Sequence, residues 1–219
     1  MIRTIRNVGL TILAGTGLAT AEPVTVAALG DSLTQGFGLA PENGFVPVLS
    51  RWLDRNGAEV TVINAGVSGD TTAGGLSRVA WTLTPEVDAM IVALGGNDLL
   101  RGIDPDVSRA NLDGILKAAD EADVPVLLVG LDAPSNYGAD YEARFEAIFP
   151  DLAETHDALL YPSFLAPLTA ESDMATALAT LMQPDGIHPN AEGVTRIVEG
   201  IGPHVLELIA RASDEGSGS

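Results

Sequence analysis

Short, uninterrupted apolar runs alternate with longer amphipathic stretches along this chain. Uninterrupted runs are typical of strands buried on both faces of a parallel sheet. Apolar residues recurring every three or four positions are typical of helices that pack one face on a core. The predicted strands are residues 24–29, 60–64, 89–94, 124–131 and, more weakly, 158–161; the predicted helices are residues 42–55, 72–83, 106–122, 141–156 and 191–210, the last with a kink or break at Pro203.

This alternation predicts βαβ units with right-handed crossovers, and therefore an α/β fold with a three-layer α/β/α sandwich. Ligands of open parallel sheets bind beyond the carboxyl ends of the strands. Ser32, Gly69, Asn97 and the loop 132–136 each lie just after an apolar run. We therefore expect these residues to meet at one edge of the sheet.

Length and composition restrict the class of protein. The chain has 219 residues, 46% of them apolar, which suits one domain with a sizeable core. A net charge of -19 disfavours nucleic acid and anionic membrane surfaces as partners. The absence of cysteine excludes thiol catalysis, and with only three scattered histidines we expect no metal site.

The N-terminus has the pattern of an export signal. Arg3 and Arg6 precede an uncharged segment, and Ala19-Thr20-Ala21 matches a small-residue cleavage pattern. We predict a signal peptide at 1–21, a single domain at 22–213 and a disordered tail at 214–219. The mature protein is expected to be exported, to the periplasm or alternatively to the medium. No other segment is apolar enough for a stable membrane anchor, and a monomer is the default expectation.

Candidate chemistry comes from two distant segments. Asp185 precedes His188 by three positions, a spacing that in a helical turn places both side chains on one face. The carboxylate can then orient the imidazole, which can accept a proton from a serine. Ser32, directly after the first apolar run, is the candidate nucleophile, so these residues suggest a Ser-His-Asp hydrolase. Acyl transfer also needs oxyanion donors, for which the candidates are the N–H groups of Ser32 and Gly69 and the Asn97 amide.

Four ordered segments resemble the blocks of the SGNH (GDSL) hydrolase family: Gly30-Asp31-Ser32-Leu33, Gly69, Gly95-Gly96-Asn97-Asp98 and Asp185-x-x-His188. Longer matches from Ala65 to Thr72, Leu94 to Gly102, Pro134 to Gly138 and Gln183 to Asn190 are similar to its periplasmic acyl-CoA thioesterase I, lysophospholipase L1 and arylesterase group. One departure is Gly66, where close relatives often carry a bulkier residue, and we expect it to loosen its loop.

The resemblance implies a flavodoxin-like five-stranded parallel sheet and activity without a cofactor. It implies that Ser32 is the nucleophile, His188 the base and Asp185 its orienting group, with oxyanion donors from Ser32, Gly69 and Asn97. The predicted acyl pocket lies in the loops 99–103 and 133–137, with Phe37 and Leu39 as a further wall. The predicted substrate-binding residues are Asp31, Leu99, Arg101, Ile103, Pro134, Asn136, Tyr137 and Ile187.

The predicted function is hydrolysis of carboxylic esters and thioesters that carry an acyl chain, through an acyl-enzyme. The acidic surface disfavours polyanionic substrates such as acyl-CoA unless Arg78 or Arg101 compensates, so lysophospholipids or simple esters are favoured. One alternative is an acetylesterase acting on polysaccharides or small molecules. The alternative of another class is a non-catalytic envelope module that binds lipid or glycan.

Overall fold

A computed structural model describes residues 23–170 and 174–216 of the chain. Five parallel strands form one sheet in the order β2-β1-β3-β4-β5. This order is the flavodoxin-like one, and the predicted fold class is confirmed. The strands are β1 (Val24–Gly30), β2 (Val60–Gly66), β3 (Ala89–Ala93), β4 (Val126–Val129) and β5 (Leu159–Tyr161).

Helices connect the strands and cover both faces of the sheet. They are α1 (Ser32–Gln35), α2 (Phe45–Arg55), α3 (Thr72–Thr82), α4 (Gly96–Leu100), α5 (Pro105–Asp120), α6 (Ala139–Glu146), α7 (Ile148–Thr155), α8 (Met174–Leu181) and α9 (Ala191–Gly216). Short 3₁₀ turns lie at Pro41–Asn43, Ser135–Tyr137 and Ala166–Leu168. Among the described residues, no helix is long and apolar enough to cross a bilayer.

Neighbouring residues of each strand point to opposite faces and so enter two separate cores. Val26 and Ala28 of β1 face the core that α2 and α9 cover, whereas Ala27 and Leu29 face the core beneath α3, α5 and α7. All four side chains are fully buried. This two-sided burial explains why positions 26–29 of β1 are continuously apolar.

The helix boundaries depart from the sequence prediction at two prolines. The helix predicted at 141–156 is divided into α6 and α7, and Pro150 cannot donate to the Glu146 carbonyl where the division lies. Pro203 lies inside α9, but the helix is not broken there. Buried Ile201 and Val205 flank this proline, so packing on the sheet holds both halves in place.

The structure describes the two ends of the chain only in part. The predicted signal peptide at 1–21 lies outside the described residues, as do positions 217–219 of the predicted tail. The helix α9 continues to Gly216, so positions 214–216 are helical where the sequence predicted disorder.

The strand register places the predicted site residues side by side. Gly30, the last residue of β1, is the register partner of Gly66 in β2 and of Ala93 in β3. The segments carrying Ser32, Gly69 and Asn97 therefore leave the sheet at the same level. β1 lies where the strand order reverses, which is where doubly wound sheets bind ligands.

Candidate active site

Ser32 is the first residue of α1, directly beyond β1. Asp31 caps this helix, because its carboxylate accepts the Leu33 N–H at 3.0 Å. The turn requires glycine at position 30, where a Cβ atom would lie 2.0 Å from the Thr34 hydroxyl oxygen. The serine is thus held between a buried strand and a capped helical turn.

His188 and Asp185 complete a hydrogen-bonded series that begins at Ser32. The His188 Nε2 atom lies 2.8 Å from the Ser32 Oγ atom, and its Nδ1 atom lies 2.7 Å from Asp185 Oδ2. With the Nδ1 proton on the side of the carboxylate, Nε2 is free to accept the serine proton. The structure therefore brings together the three residues that the sequence singled out.

The segment between Asp185 and His188 is not the helical turn that the spacing suggested. It lies in a loop between α8 and α9, where Gly186 has a φ of 67°. The Asp185 carboxylate accepts the N–H groups of Ile187 at 2.9 Å and His188 at 3.0 Å. These bonds fold the loop back on the carboxylate, which brings it to the imidazole without a helix.

The same contacts set the charge of Asp185. The His188 N–H, the His188 ring and the Ile187 N–H lower the pKa of this carboxyl to about 2. The carboxylate is therefore ionised at neutral pH and can stabilise a positive imidazolium.

Candidate donors for an oxyanion lie in the segments that follow β1, β2 and β3. Within the described part of the chain, the N–H groups of Ser32 and Gly69 donate to no protein acceptor. The Asn97 Nδ2 atom donates one hydrogen to Asp31 at 3.3 Å, which leaves its second hydrogen for a ligand. Three predicted donors are thus available on adjoining loops.

Asp31 lies beneath the site and not on its surface. Its side chain is buried, so it does not form part of a wall that contacts the substrate. This differs from the sequence prediction, which made Asp31 a substrate-binding residue. Burial raises the pKa of Asp31 to about 6, against the hydrogen bonds from the Leu33 N–H and the Asn97 amide, which lower it. The geometry gives Asp31 the role of holding both the nucleophile's helix and the Asn97 amide.

A buried polar network, which the sequence reasoning missed, connects the oxyanion loops. The Asp98 carboxylate is fully buried and accepts the Thr72 N–H at 2.9 Å, the Thr72 hydroxyl at 2.6 Å and the Ser108 hydroxyl at 2.9 Å. Asn111 donates to the Thr72 hydroxyl oxygen. The network joins α4, which carries Asn97, to the start of α3, just after Gly69. The signal was present in the sequence as an acidic residue next to Asn97.

Two arginines support this edge of the sheet. Arg78 donates to the carbonyls of Gly30 and Ala65 at 2.8 and 2.6 Å and forms an ion pair with Asp70 at 2.6 Å. Its charge is therefore engaged with the protein and not offered to a polyanionic substrate. Arg101 donates to the Gly69 carbonyl at 2.7 Å, which fixes the loop of that oxyanion donor.

The other predicted substrate-binding residues divide by exposure. Leu99 is buried in the core, and the Ile103 carbonyl accepts the Tyr141 hydroxyl at 2.8 Å, so both support the loops from below. Leu39 packs against the α2–α9 core and is only partly exposed. The exposed members are Pro134, Asn136, Tyr137 and Ile187, together with Phe37.

Contrary to the sequence prediction, Gly66 does not loosen its loop. A Cβ atom at this position would lie 2.4 Å from the Gln35 backbone nitrogen and 2.9 Å from the Asp31 carbonyl oxygen. The glycine therefore lets β2 pack closely against the helical turn that begins with Ser32.

A serine, an imidazole and a carboxylate in series, beside unpaired N–H groups at the carboxyl edge of a parallel sheet, are the arrangement of a serine hydrolase. The profile of the GDSL-like lipase/acylhydrolase family matches residues 28–196. The chain belongs to this family and is a carboxylic ester hydrolase.

Several characterised bacterial proteins are similar to this chain over most of its length. Esterase TesA of Pseudomonas aeruginosa is 36% identical over 186 residues, which are 84% of this chain and 89% of that protein. The arylesterase of Vibrio mimicus is 31% identical, covering 93% and 98%. Thioesterase 1/protease 1/lysophospholipase L1 of Escherichia coli K12 is 33% identical, covering 84% and 85%.

Solved structures share both the fold and much of the sequence. The crystal structure of TesA superposes with a TM-score of 0.76 at 34% identity, covering 84% of this chain and 99% of that one. AlinE4, an SGNH-hydrolase family esterase, gives a TM-score of 0.70 at 41% identity, covering 86% and 98%. These similarities agree with the resemblance seen in the four sequence blocks.

Proposed function

We propose that Ser32 is the nucleophile of this hydrolase, His188 its general base and Asp185 the group that orients the imidazole. The observation that carries the proposal is the continuous series from the Ser32 Oγ atom to His188 at 2.8 Å and on to Asp185 at 2.7 Å. A serine hydroxyl is a weak nucleophile until a base removes its proton, and here the base is already in place.

In the first half of the reaction, the Ser32 oxygen attacks the carbonyl carbon while His188 takes the serine proton. The oxyanion that forms is stabilised by the N–H groups of Ser32 and Gly69 and by the Asn97 amide. His188 then gives its proton to the leaving alcohol or thiol, which departs and leaves an acyl-enzyme. Water, activated by the same imidazole, releases the acid and restores Ser32.

The proposed substrates are small carboxylic esters, thioesters and lysophospholipids that carry an acyl chain. The names of the relatives support this range, since they include an esterase, an arylesterase and a thioesterase/lysophospholipase. Lysophospholipids and simple esters are preferred to acyl-CoA, because the net charge of -19 repels polyanions. The engagement of Arg78 with protein groups supports the same preference.

We also propose that the enzyme acts as a monomer in the periplasm after removal of residues 1–21. The support is the charged, apolar and small-residue pattern of the N-terminus. Sequencing the N-terminus of the protein recovered from a periplasmic extract tests cleavage before Glu22.

The function is tested by hydrolysis of p-nitrophenyl esters with acyl chains from C2 to C16, using the mature protein and Ser32→Ala. We expect a rate maximum at medium chain length that disappears in the variant. Activity confined to the C2 ester would favour an acetylesterase instead. An equal rate in both proteins would overturn the assignment of Ser32.

A further inference from the structure

The ring of Phe37 packs on the catalytic imidazole. Its centroid lies 4.7 Å from that of His188, with the two planes inclined by 38°. The Phe37 N–H donates to the Ser32 carbonyl at 3.1 Å, so the ring is attached one turn beyond the nucleophile. The side chain is nevertheless 48% exposed, which leaves much of the aromatic ring open to a ligand.

Gln183 fixes the backbone of Phe37 beside the loop of His188. Its side-chain amide donates to the Phe37 carbonyl at 2.8 Å and to the Pro189 carbonyl at 3.0 Å. Its backbone N–H donates to the His188 carbonyl at 2.7 Å. One residue therefore ties the Phe37 segment to the loop that carries the base. The ring and the imidazole are arranged together before a substrate arrives.

The mechanism determines which part of the substrate meets this ring. His188 must protonate the leaving-group oxygen, so that oxygen lies within hydrogen-bond distance of the Nε2 atom in the reacting complex. The first atoms beyond the oxygen then lie beside the Phe37 ring. Ile187, which precedes the base, is 44% exposed and adds apolar surface.

The charges of the same segments disfavour a leaving group with several negative charges. Positions 32–39 and 183–190 contain no lysine or arginine, and Asp185 contributes a negative charge. Arg101 is engaged with the Gly69 carbonyl, in the loop of an oxyanion donor. A polyanionic leaving group such as a phosphorylated thiol would find no cation in either segment, whereas an aromatic ring finds an aromatic partner.

We propose that Phe37 is a specificity-determining residue that binds the leaving group and favours esters of aromatic alcohols. This inference rests on the proposed function, because it takes His188 to be the group that protonates the leaving oxygen. Stacking of two aromatic rings is worth about three- to tenfold in a rate constant beyond simple burial. The effect belongs to the leaving group and not to the acyl chain.

The test compares two butyrate esters of similar leaving-group acidity, one of phenol and one of hexafluoroisopropanol. In the parent enzyme, kcat/KM should favour the phenyl ester. Phe37→Leu should lower this preference about three- to tenfold, whereas Phe37→Tyr, which keeps the aromatic ring, should retain it. Because both esters share one catalytic machinery, a general loss of activity in a variant cancels in the ratio.

Trp81→Leu is the matched control. Trp81 is 86% exposed on α3, and the same kind of substitution there should leave the ratio unchanged. The inference is overturned if Phe37→Leu keeps the parent ratio, or if Phe37→Tyr loses the preference as fully as leucine does. A Ser32→Ala variant with undiminished activity would instead refute the proposed function, so the two failures are distinguishable.

Discussion

Hydrogen bonds and burial shift the pKa values of two carboxyl groups in the site. The pKa of Asp185 is held at about 2 by two backbone N–H groups and the imidazole. The pKa of Asp31 is raised to about 6, chiefly by burial. The carboxyl group bonded to His188 and the one next to Ser32 in sequence thus differ in environment, and each environment suits its proposed role.

Asp185→Asn tests the orienting role. Its oxygen can still accept the loop N–H groups, but its amide would donate to the His188 ring and favour the wrong tautomer. We expect kcat to fall about 10⁴-fold with the fold retained. Steady-state kinetics and circular dichroism measure both quantities, and a loss below tenfold would contradict the role.

The same substitution has a consequence for stability against pH. A carboxyl whose pKa is lowered in the folded state contributes stability above its unfolded value of 3.8, and this contribution is lost as the pH falls through about 2. The parent should therefore be more stable than Asp185→Asn at neutral pH, and the difference between their free energies of unfolding should shrink toward about pH 2. Denaturant titrations at several pH values check the direction.

Between elements, the Asp98 network is the connection that matters most for the site. One carboxylate joins the helix of Asn97 to the start of α3, close to Gly69. The separation of two oxyanion donors thus depends on a group that touches no substrate. Asp98 is in this sense a positioning residue.

Asp98→Asn keeps the volume of the side chain but removes its negative charge and one acceptor oxygen. With the remaining oxygen on the Thr72 N–H, the amide NH2 faces the Thr72 and Ser108 hydroxyls, which lose their shared acceptor. We expect kcat to fall about tenfold or more with little change in KM, because only the transition state uses the aligned donors. Ser108→Ala is the matched control, since it removes a bond from the same carboxylate to α5 and leaves the bonds to Thr72 intact.

A double-mutant cycle separates positioning from general damage. Asn97→Ala alone should lower kcat about 10²–10³-fold. Adding Asp98→Asn to it should cost much less than in the parent, because the donor being aligned is already gone. Equal losses in both backgrounds would mean that Asp98 does not act through Asn97.

At the scale of the molecule, a histidine outside the active site links two helices of one layer. His156, which follows α7, lies 2.6 Å from Asp120 and 2.9 Å from Asp113, both on α5. Burial lowers its pKa, but the hydrogen bonds to Asp120 and Asp113 outweigh burial, so its pKa is raised above 6.5. When it is protonated, the imidazole therefore stabilises the packing of α5 against α7.

His156→Gln should destabilise the protein in a pH-dependent way. Because the folded pKa is raised, the contribution is fully present below pH 6.5 and lost as the pH rises through the folded value. We expect a loss of about 1 kcal/mol near pH 6 and a smaller one near pH 9. Urea unfolding at both values measures it, and a larger loss at the higher pH would refute the charged bridge.

The fold class and the identities of the candidate site residues could be predicted from local sequence patterns. Continuous apolar runs separated by amphipathic helices admit few arrangements other than a covered parallel sheet. A parallel sheet sends the residues after its strands to one edge, so Ser32, Gly69 and Asn97 could be grouped before any coordinates were known. Local information was sufficient because each of these residues lies two to four positions beyond the end of its own strand.

Tertiary structure alone decided how distant segments meet. Ser32 and His188 are 156 positions apart, and no periodicity specifies their 2.8 Å contact. The Asp185 loop, the packing of Phe37 on His188 and the burial of Asp98 also depend on several elements at once. The two prolines illustrate the same distinction. Pro150 lies near the boundary between α6 and α7, whereas α9 continues through Pro203 because its flanking residues pack on the sheet. Sequence patterns indicate which residues of each segment are buried, whereas contacts between loops depend on how the whole core is assembled.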